Sequence, residues 1–321
     1  VSRSQGNPLF AIQLVGDWVQ RGVLEIGKRG FVLKPGAKAV IPSSIAQVWN
    51  ERIDALLREM PTDSEQMLEL GATLGIEVDR EEWASVCEAE GIKLDAHLIE
   101  DLLRRRLAEA SGTGRLRHAH GMLGEALLAR AKEAKRLKRH HEVCAAMLES
   151  KSGQLGIAER RSRHLIAAGL HEAALDPLLK AATERRASSD LRQAIRLLDI
   201  HEKAASRKKL NINDERLLRA QILRSEILNV LGKSSEGGLI ATQTLDAARA
   251  MNSPHLIGAS LRVLGVSTLR SGATHEAWQM FEEALTQLKS VDADELVVQT
   301  QLNLVDLSRH VGWWERAKKY M

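Results

Sequence analysis

The chain has 321 residues, a formal net charge of +4, 44% hydrophobic and 27% charged residues, and only 3% aromatics. That length leaves room for two domains, and the preponderance of Leu, Ala, Arg and Glu with few Pro favours an almost all-helical fold. The mild basic balance is spread along the chain and does not mark a nucleic-acid binder. No apolar run approaches the ~18 residues of a membrane helix, and Cys87 and Cys144 offer neither a disulfide framework nor a zinc spacing, the usage of a reducing cytoplasm.

The first readable signal is Gly6-Asn7-Pro8-Leu9-Phe10, a tight loop entering a helix. Val1 is not an initiator Met, and Trp313-Trp314-Glu315-Arg316-Ala317 begins a helix just before Met321, so the chain reads as a piece of a larger protein. Asn7 can cap the first helix and Pro8 suits its first turn. Ala11, Leu14, Val15 and Trp18 then share one helical face, and Gly22 ends it. Val23–Ile26 and Phe31–Leu33, around Gly27-Lys28-Arg29-Gly30, predict a β-hairpin.

A second helix starts near Pro42-Ser43, with Ile45, Val48, Trp49, Ile53, Leu56 and Leu57 as its buried stripe. Thr62-x-x-Glu65 and Asp79-x-x-Glu82 have the capping-box pattern and open two more helices. A helix over Leu94–Leu107 turns Leu98, Leu102 and Leu103 inward. The turn Ser111-Gly112-Thr113-Gly114 precedes a short strand at Arg115–His118, and one long helix starts near Met122. Residues 1–150 therefore read as a winged-helix-like helical domain with a small additional β-hairpin.

Residues 151–321 carry a different pattern. Gly232, Gly272 and Gly312 recur every 40 residues. The best-formed unit runs from Gly258 to Lys289: Leu264-Gly265 in a first helix, Gly272 at the turn, then Ala277, Phe281 and Ala284 in a second. Small residues at those places let two antiparallel helices approach, and Phe281 fills the groove beside them. The unit resembles a tetratricopeptide repeat, whose period is nearer 34, so the surplus lengthens helices or a connection. Gly169 with Ala174, Leu178 and Ala181, Gly232 with Gly237 and Ala241, and Gly312 with Ala317 repeat the pattern more loosely. Such an array is an α-solenoid that offers its surface to a protein or peptide partner.

Motifs for chemistry are scarce. Gly232-Lys233-Ser234 mimics the end of a phosphate-binding loop, but position 227 is Ile where that loop needs Gly, and no strand precedes it. His140, His141 and Cys144 cluster on a helix without further metal ligands nearby, which reads as an ordinary helix surface plus a buried thiol. The basic run Lys132, Lys135, Arg136, Lys138, Arg139 reads as a solvated helix face, as do some of Arg104-Arg105-Arg106. No nucleophile–base arrangement stands out. The chain is expected to be no enzyme, to hold no metal and to bind no cofactor itself.

Several motifs together resemble the helical lid of a STAND-type signalling ATPase, a nucleotide-switch module followed by helical repeats. In order they are Gly6-Asn7-Pro8-Leu9-Phe10, Ile41-Pro42-Ser43-Ser44-Ile45, Asn50-Glu51-Arg52-Ile53-Asp54-Ala55-Leu56, Glu69-Leu70-Gly71-Ala72-Thr73-Leu74-Gly75, Arg117 to Leu127, and His164-Leu165-Ile166-Ala167-Ala168-Gly169. The resemblance covers roughly the first 185 residues. It implies that Gly6 and Pro8 form a loop against the adenine, and that His120 reaches the terminal phosphate of bound ADP in the closed form. An imidazole can donate that hydrogen bond. His118 stands where the family usually has an aromatic, and Gly124 where it often has Arg.

The resemblance further implies ATP or ADP with Mg in an intact parent and an upstream nucleotide-binding domain as an intramolecular partner. The opening stretch is similar to bacterial serine/threonine-protein kinases that carry this module. Two other expectations stand beside this one: a stand-alone tetratricopeptide-type adaptor, and a winged-helix DNA-binding regulator.

Overall fold

The structure is a computed structural model that describes residue 15, residues 18–19, 23–27 and 30–34, and residues 45–320. Gly6, Pro8 and the proposed helix start at Pro42-Ser43 lie outside the described residues. The chain divides into two compact units, Val1–Met147 and Leu148–Met321. Among the described residues it is mostly helical, with short strands confined to the first unit.

In the first unit Val15, Trp18 and Val19 are helical. Strands β1 (Leu24–Gly27) and β2 (Gly30–Leu33) pair antiparallel with Gly27 opposite Gly30, the expected hairpin. Helix α1 (Ile45–Leu57) buries Val48, Trp49, Ile53 and Leu56. Helix α2 (Ser64–Leu74) is the unit's central helix and is buried from Met67 to Leu74. Gly71 lets it approach helix α3 (Arg80–Ala89): a Cβ there would stand 2.9 Å from Trp83 Cε2. The same indole donates to Met67 O at 2.7 Å.

The two capping boxes part company. Asp79, the last residue of β3 (Glu77–Asp79), caps α3 by accepting from Glu81 and Glu82 N–H. The Thr62 box does not form. Asp63 holds the N-cap of α2 without a side-chain bond, and the Glu65 carboxylate is engaged by Arg130.

The helix expected over Leu94–Leu107 is shorter, α4 (Ala96–Arg104), capped by Asp95. Arg106 turns left-handed (φ 54) and leads into β4 (Ala108–Ala110). Strand β5 (Arg115–His118) pairs antiparallel with both β3 and β4, giving the order β3-β5-β4. The order of elements is thus α2-β3-α3-α4-β4-β5, with β4 and β5 as an antiparallel hairpin. The single long helix expected from Met122 is two, α5 (Gly121–Glu133) and α6 (Leu137–Glu149). The break is Lys135 at φ 60.

The second unit is a run of antiparallel helices: α7 (Ile157–Ala167), α8 (Leu175–Ala187), α9 (Leu191–Arg207), α10 (Glu215–Val230), α11 (Ser234–Ala250), α12 (Pro254–Arg270), α13 (Thr274–Lys289), α14 (Asp294–Val311) and the short α15 (Trp314–Ala317). Helices pair as α8–α9, α10–α11, α12–α13 and α14–α15, and the first helices of successive pairs touch, α8 on α10, α10 on α12 and α12 on α14. This is tetratricopeptide-like stacking.

Gly232, Gly272 and Gly312 make the turns within pairs at φ 79, 93 and 80, where a Cβ is strained. Asn252 and Asp292 take φ 49 and 50 between pairs. Gly169 is the expected left-handed turn (φ 75), and Ala174, Leu178 and Ala181 beyond it are buried, but it falls in phase with the connections between pairs; the first turn within the pairs is Ser189 at φ 64. Ala194 and Leu198, five and nine residues beyond Ser189, occupy the places of Ala277 and Phe281 and are equally buried.

Candidate functional site

His120 lies one residue beyond β5, after Ala119, and is the N-cap of α5, with extended backbone (φ −142, ψ 137) and no side-chain cap bond. It is exposed. Its ring centroid lies 5.4 Å from that of Trp49, tilted 57°. Trp49 is anchored in the core of the unit, and Arg52 Cζ stands 4.9 Å from the same indole centroid. Among the described residues, no atom lies within 4 Å of a Cβ built on Gly121 or Gly124. The free N–H groups of a helix start carry partial positive charge and receive anions. An imidazole at that start adds a donor. His118, two residues earlier, differs in kind: its ring nitrogens have no hydrogen-bond partner among the described residues, and burial holds its pKa below the ordinary value.

A second cluster centres on Glu69. Glu69 on α2 is fully buried and receives two bonds from Arg136, Nε to Oε2 at 2.8 Å and Nη2 to Oε1 at 2.7 Å. His140 Nε2 lies 3.0 Å from Oε2 of the same carboxylate. Burial pushes the Glu69 pKa up, but the hydrogen bonds and charges of Arg136 and His140 outweigh it and hold the group below its ordinary value. Glu65 extends the network to Arg130, which reaches Asp54 at 2.8 Å. The network ties α2 to α5, α6 and α1.

This corrects two expectations. His140 is not on an ordinary helix surface but inside the unit beside Glu69. Arg136 and Arg139 are not simply solvated, since Arg139 pairs with Glu90 at 2.9 Å. The missed signal was Glu69 itself, the lone charge in the otherwise apolar or small run Met67–Leu74.

The other basic groups are largely paired too. Arg104 meets Asp101 at 2.6 Å, Arg105 meets Glu59, and Arg106 is exposed. On the β4–β5 hairpin, Arg117 lies 3.4 Å from Glu77, and Arg115 lies 3.8 Å from Glu77 and 3.9 Å from Asp79.

In the repeats, a Cβ on Gly265 would fall 2.6 Å from Phe281 Cε1, and one on Gly258 2.5 Å from Leu288 Cγ. Ala277, Phe281 and Ala284 are fully buried, and Leu264 is half-buried against two clusters of the array. Gly272 is the turn between the two helices. One pair earlier, Ser225 Oγ donates to Gly237 O at 2.6 Å, so a small residue again marks the helix crossing. Gly232 is a left-handed turn after helix α10 rather than after a strand, and Lys233 lies 3.5 Å from Glu236. Gly232 and Ser234 line a hydroxyl-rich cavity of about 510 Å³ with Ser267, Thr268 and Arg270. A larger cavity, about 640 Å³, lies among α9, the following connection, α10 and α11.

No family model matches the sequence, and no curated protein does. Among solved structures, the chain is similar to aspartyl phosphate phosphatase F from Bacillus subtilis, at 14% identity and TM-score 0.47, over 85% of this chain and 66% of that one. A Rap protein complexed with competence and sporulation factor matches at 12% identity and TM-score 0.46, over 97% and 74%. A signal transduction ATPase with numerous domains from Pyrococcus horikoshii, with a tetratricopeptide repeat sensor, matches at 14% identity and TM-score 0.41, over 99% and 54%. The chain thus spans about half the length of that ATPase. Among the described residues, no helix is long and apolar enough to cross a membrane.

Proposed function

We propose that this chain is the regulatory part of a STAND-type signal-transduction ATPase, in which the first unit closes over nucleotide held by an upstream domain and the repeats bind a protein partner. The observation that carries the reading is His120: exposed, at the N-cap position of α5, with its ring against the buried Trp49. A phosphate placed there meets an imidazole and a positive helix end together. Gly6 and Pro8 supply the adenine side in this reading. ATP or ADP with Mg belongs to the parent, whose effector is a serine/threonine-protein kinase on the strength of the opening motif alone. The site of action is the cytoplasm.

The repeat architecture supports the partner-binding half, because stacked helix pairs expose a continuous surface to other chains. The DNA-binding reading is the weaker one. The hairpin arginines, Arg115 and Arg117, stand in exposed ion pairs with Glu77 and Asp79, and α4 carries Glu100 and Asp101. Phosphate contacts need such cations free.

Titration calorimetry of the chain with ADP and with ATP tests the reading. Binding too weak to measure in the micromolar range is the expected result, since the phosphate loop lies elsewhere. Micromolar affinity overturns it. The gene upstream of Val1 separates this reading from a stand-alone adaptor: a phosphate loop followed by an acidic Walker-B strand is expected, and their absence favours the adaptor.

A further inference from the structure

Helix α9 departs from the pairing of basic groups seen on its neighbours. On the flanking helices Arg185, Arg186, Arg216 and Arg224 all stand in ion pairs. On α9, Arg192, Arg196, Lys203 and Arg207 are exposed, and none of the four meets a carboxylate among the described residues. With about 3.6 residues per turn they fall within about 60° of one another around the helix, and with a rise of about 1.5 Å per residue they span about 22 Å. The stripe is two like-charged pairs, Arg192 with Arg196 and Lys203 with Arg207, each at an i, i+4 spacing that destabilises a helix. Arg192 also stands in the first turn, where the helix dipole disfavours a cation. Lys208 and Lys209, exposed just past the last turn, extend the stripe.

The carboxylates that could offset it are engaged elsewhere. Asp190 lies 3.6 Å from Arg185, and Asp199 and Glu202 lie 2.8 and 3.5 Å from Arg224. Glu172 and Asp214, on the adjoining connections, lie 3.4 and 2.8 Å from Arg216. Arg207 Nη1 donates instead to His171 Nε2 at 3.2 Å. Burial, then the charges of Arg207 and Lys208, lower the His171 pKa, and the field at this end of the stripe is positive. Asp199 and the exposed Ile200 fill the gap between Arg196 and Lys203. A nucleic-acid strand or an anionic membrane brings negative charge without a break and meets Asp199 there. A protein segment can leave its middle uncharged.

We propose that the exposed face of α9 docks an acidic helix of the partner protein. Its carboxylates lie over Arg192 and Arg196 at one end and over Lys203 and Arg207 at the other, with an aliphatic side chain on Ile200 between them. A helix sets carboxylates at the same i, i+4 steps as these cations. The inference rests on the partner-binding half of the function proposed above and adds where the partner sits and what chemistry it carries.

Fluorescence anisotropy of the purified chain with two labelled sixteen-residue peptides tests it. Both are made of Ala and Gln with four Glu and one Leu. One places Glu at its first, fifth, twelfth and sixteenth positions and Leu at its ninth; the other scatters the same residues around the helix. The matched peptide is expected to bind the tighter of the two, and more weakly as salt rises from about 50 to about 200 mM. Arg192→Gln with Arg196→Gln, and Lys203→Gln with Arg207→Gln, are each expected to weaken its binding about threefold or more. Lys289→Gln with Arg309→Gln, exposed cations of other helices, are expected to leave affinity unchanged, and circular dichroism checks that the variants fold. Equal affinity for the two peptides, no binding of either, or unchanged affinity in the α9 variants overturns the inference. So does tighter binding of a sixteen-nucleotide single strand or of phosphatidylserine vesicles. Each of these results removes α9 as the docking face and leaves the broader partner-binding reading intact, because the rest of the repeat surface is not probed.

Discussion

The ring of Phe281 rests against the bare Cα of Gly265: a Cβ on Gly265 would stand 2.6 Å from Phe281 Cε1. The contact fixes how closely α12 and α13 approach, because Phe281 is fully buried and has no room to retreat.

Gly265→Ala is therefore expected to destabilise the chain. The substitution gains ~1 kcal/mol of helix propensity but overpacks the crossing at ~1–3 kcal/mol. Ala277→Leu overpacks the same crossing and costs ~1–3 kcal/mol. Gly124→Ala is the counter-case: it too lies inside a helix, but no atom of the described residues lies within 4 Å of the added Cβ, so the propensity gain of ~1 kcal/mol remains. Urea unfolding should move the midpoint down for the first two variants and up for the third.

Ser189→Gly is expected to raise stability by ~1 kcal/mol. Ser189 holds φ 64 in the turn where later repeats use glycine, and a left-handed residue with a Cβ costs about 1–2 kcal/mol. Gly272→Ala, at φ 93, is expected to lower stability by a similar amount. Thermal unfolding followed by circular dichroism gives both signs.

This turn also shows where the sequence misleads. A search for glycines finds Gly169 and passes over Ser189, because side-chain identity reports left-handed backbone only when the chain yields to the preference. The break at Lys135 between α5 and α6 is hidden for the same reason: Lys-Glu-Ala-Lys-Arg reads as continuous helix. The period-40 glycines, the Asp79 cap and the buried stripe of α1 were legible, since each follows from local spacing. The Glu69–Arg136–His140 cluster was not, because its members lie far apart in the chain and meet only through packing.

Glu69 gives the first unit a pH dependence of defined sign. Its folded pKa lies below the ordinary 4.5, so its ion pairs contribute full stability above about that pH, and the contribution is lost as pH falls through the folded value. Glu69→Gln should flatten the acid limb of the stability profile and lower the plateau at neutral pH. Removing one partner of a buried pair costs about 3–5 kcal/mol. The loss here should fall at or below the low end of that range, because Arg136 is about one-third exposed and can be resolvated. Urea midpoints measured from pH 3 to 7 for the two proteins check it.

The hairpin ion pairs predict little affinity for DNA. Arg115 and Arg117 are engaged by Glu77 and Asp79, so binding to a random duplex at about 150 mM salt should fall at or weaker than the ~0.1 mM limit of non-specific affinity. Glu77→Gln frees these arginines and should raise affinity at low salt. Fluorescence anisotropy with a labelled duplex reads both.

The most direct test of the nucleotide-switch account is the rate at which bound ADP leaves the full-length parent, measured by fluorescent-nucleotide chase with wild type and His120→Ala side by side. Loss of a hydrogen bond to a charged phosphate, about 1.5–3 kcal/mol, should speed release by roughly ten- to a hundredfold. ADP leaving both proteins at the same rate contradicts the account and removes His120 from the switch.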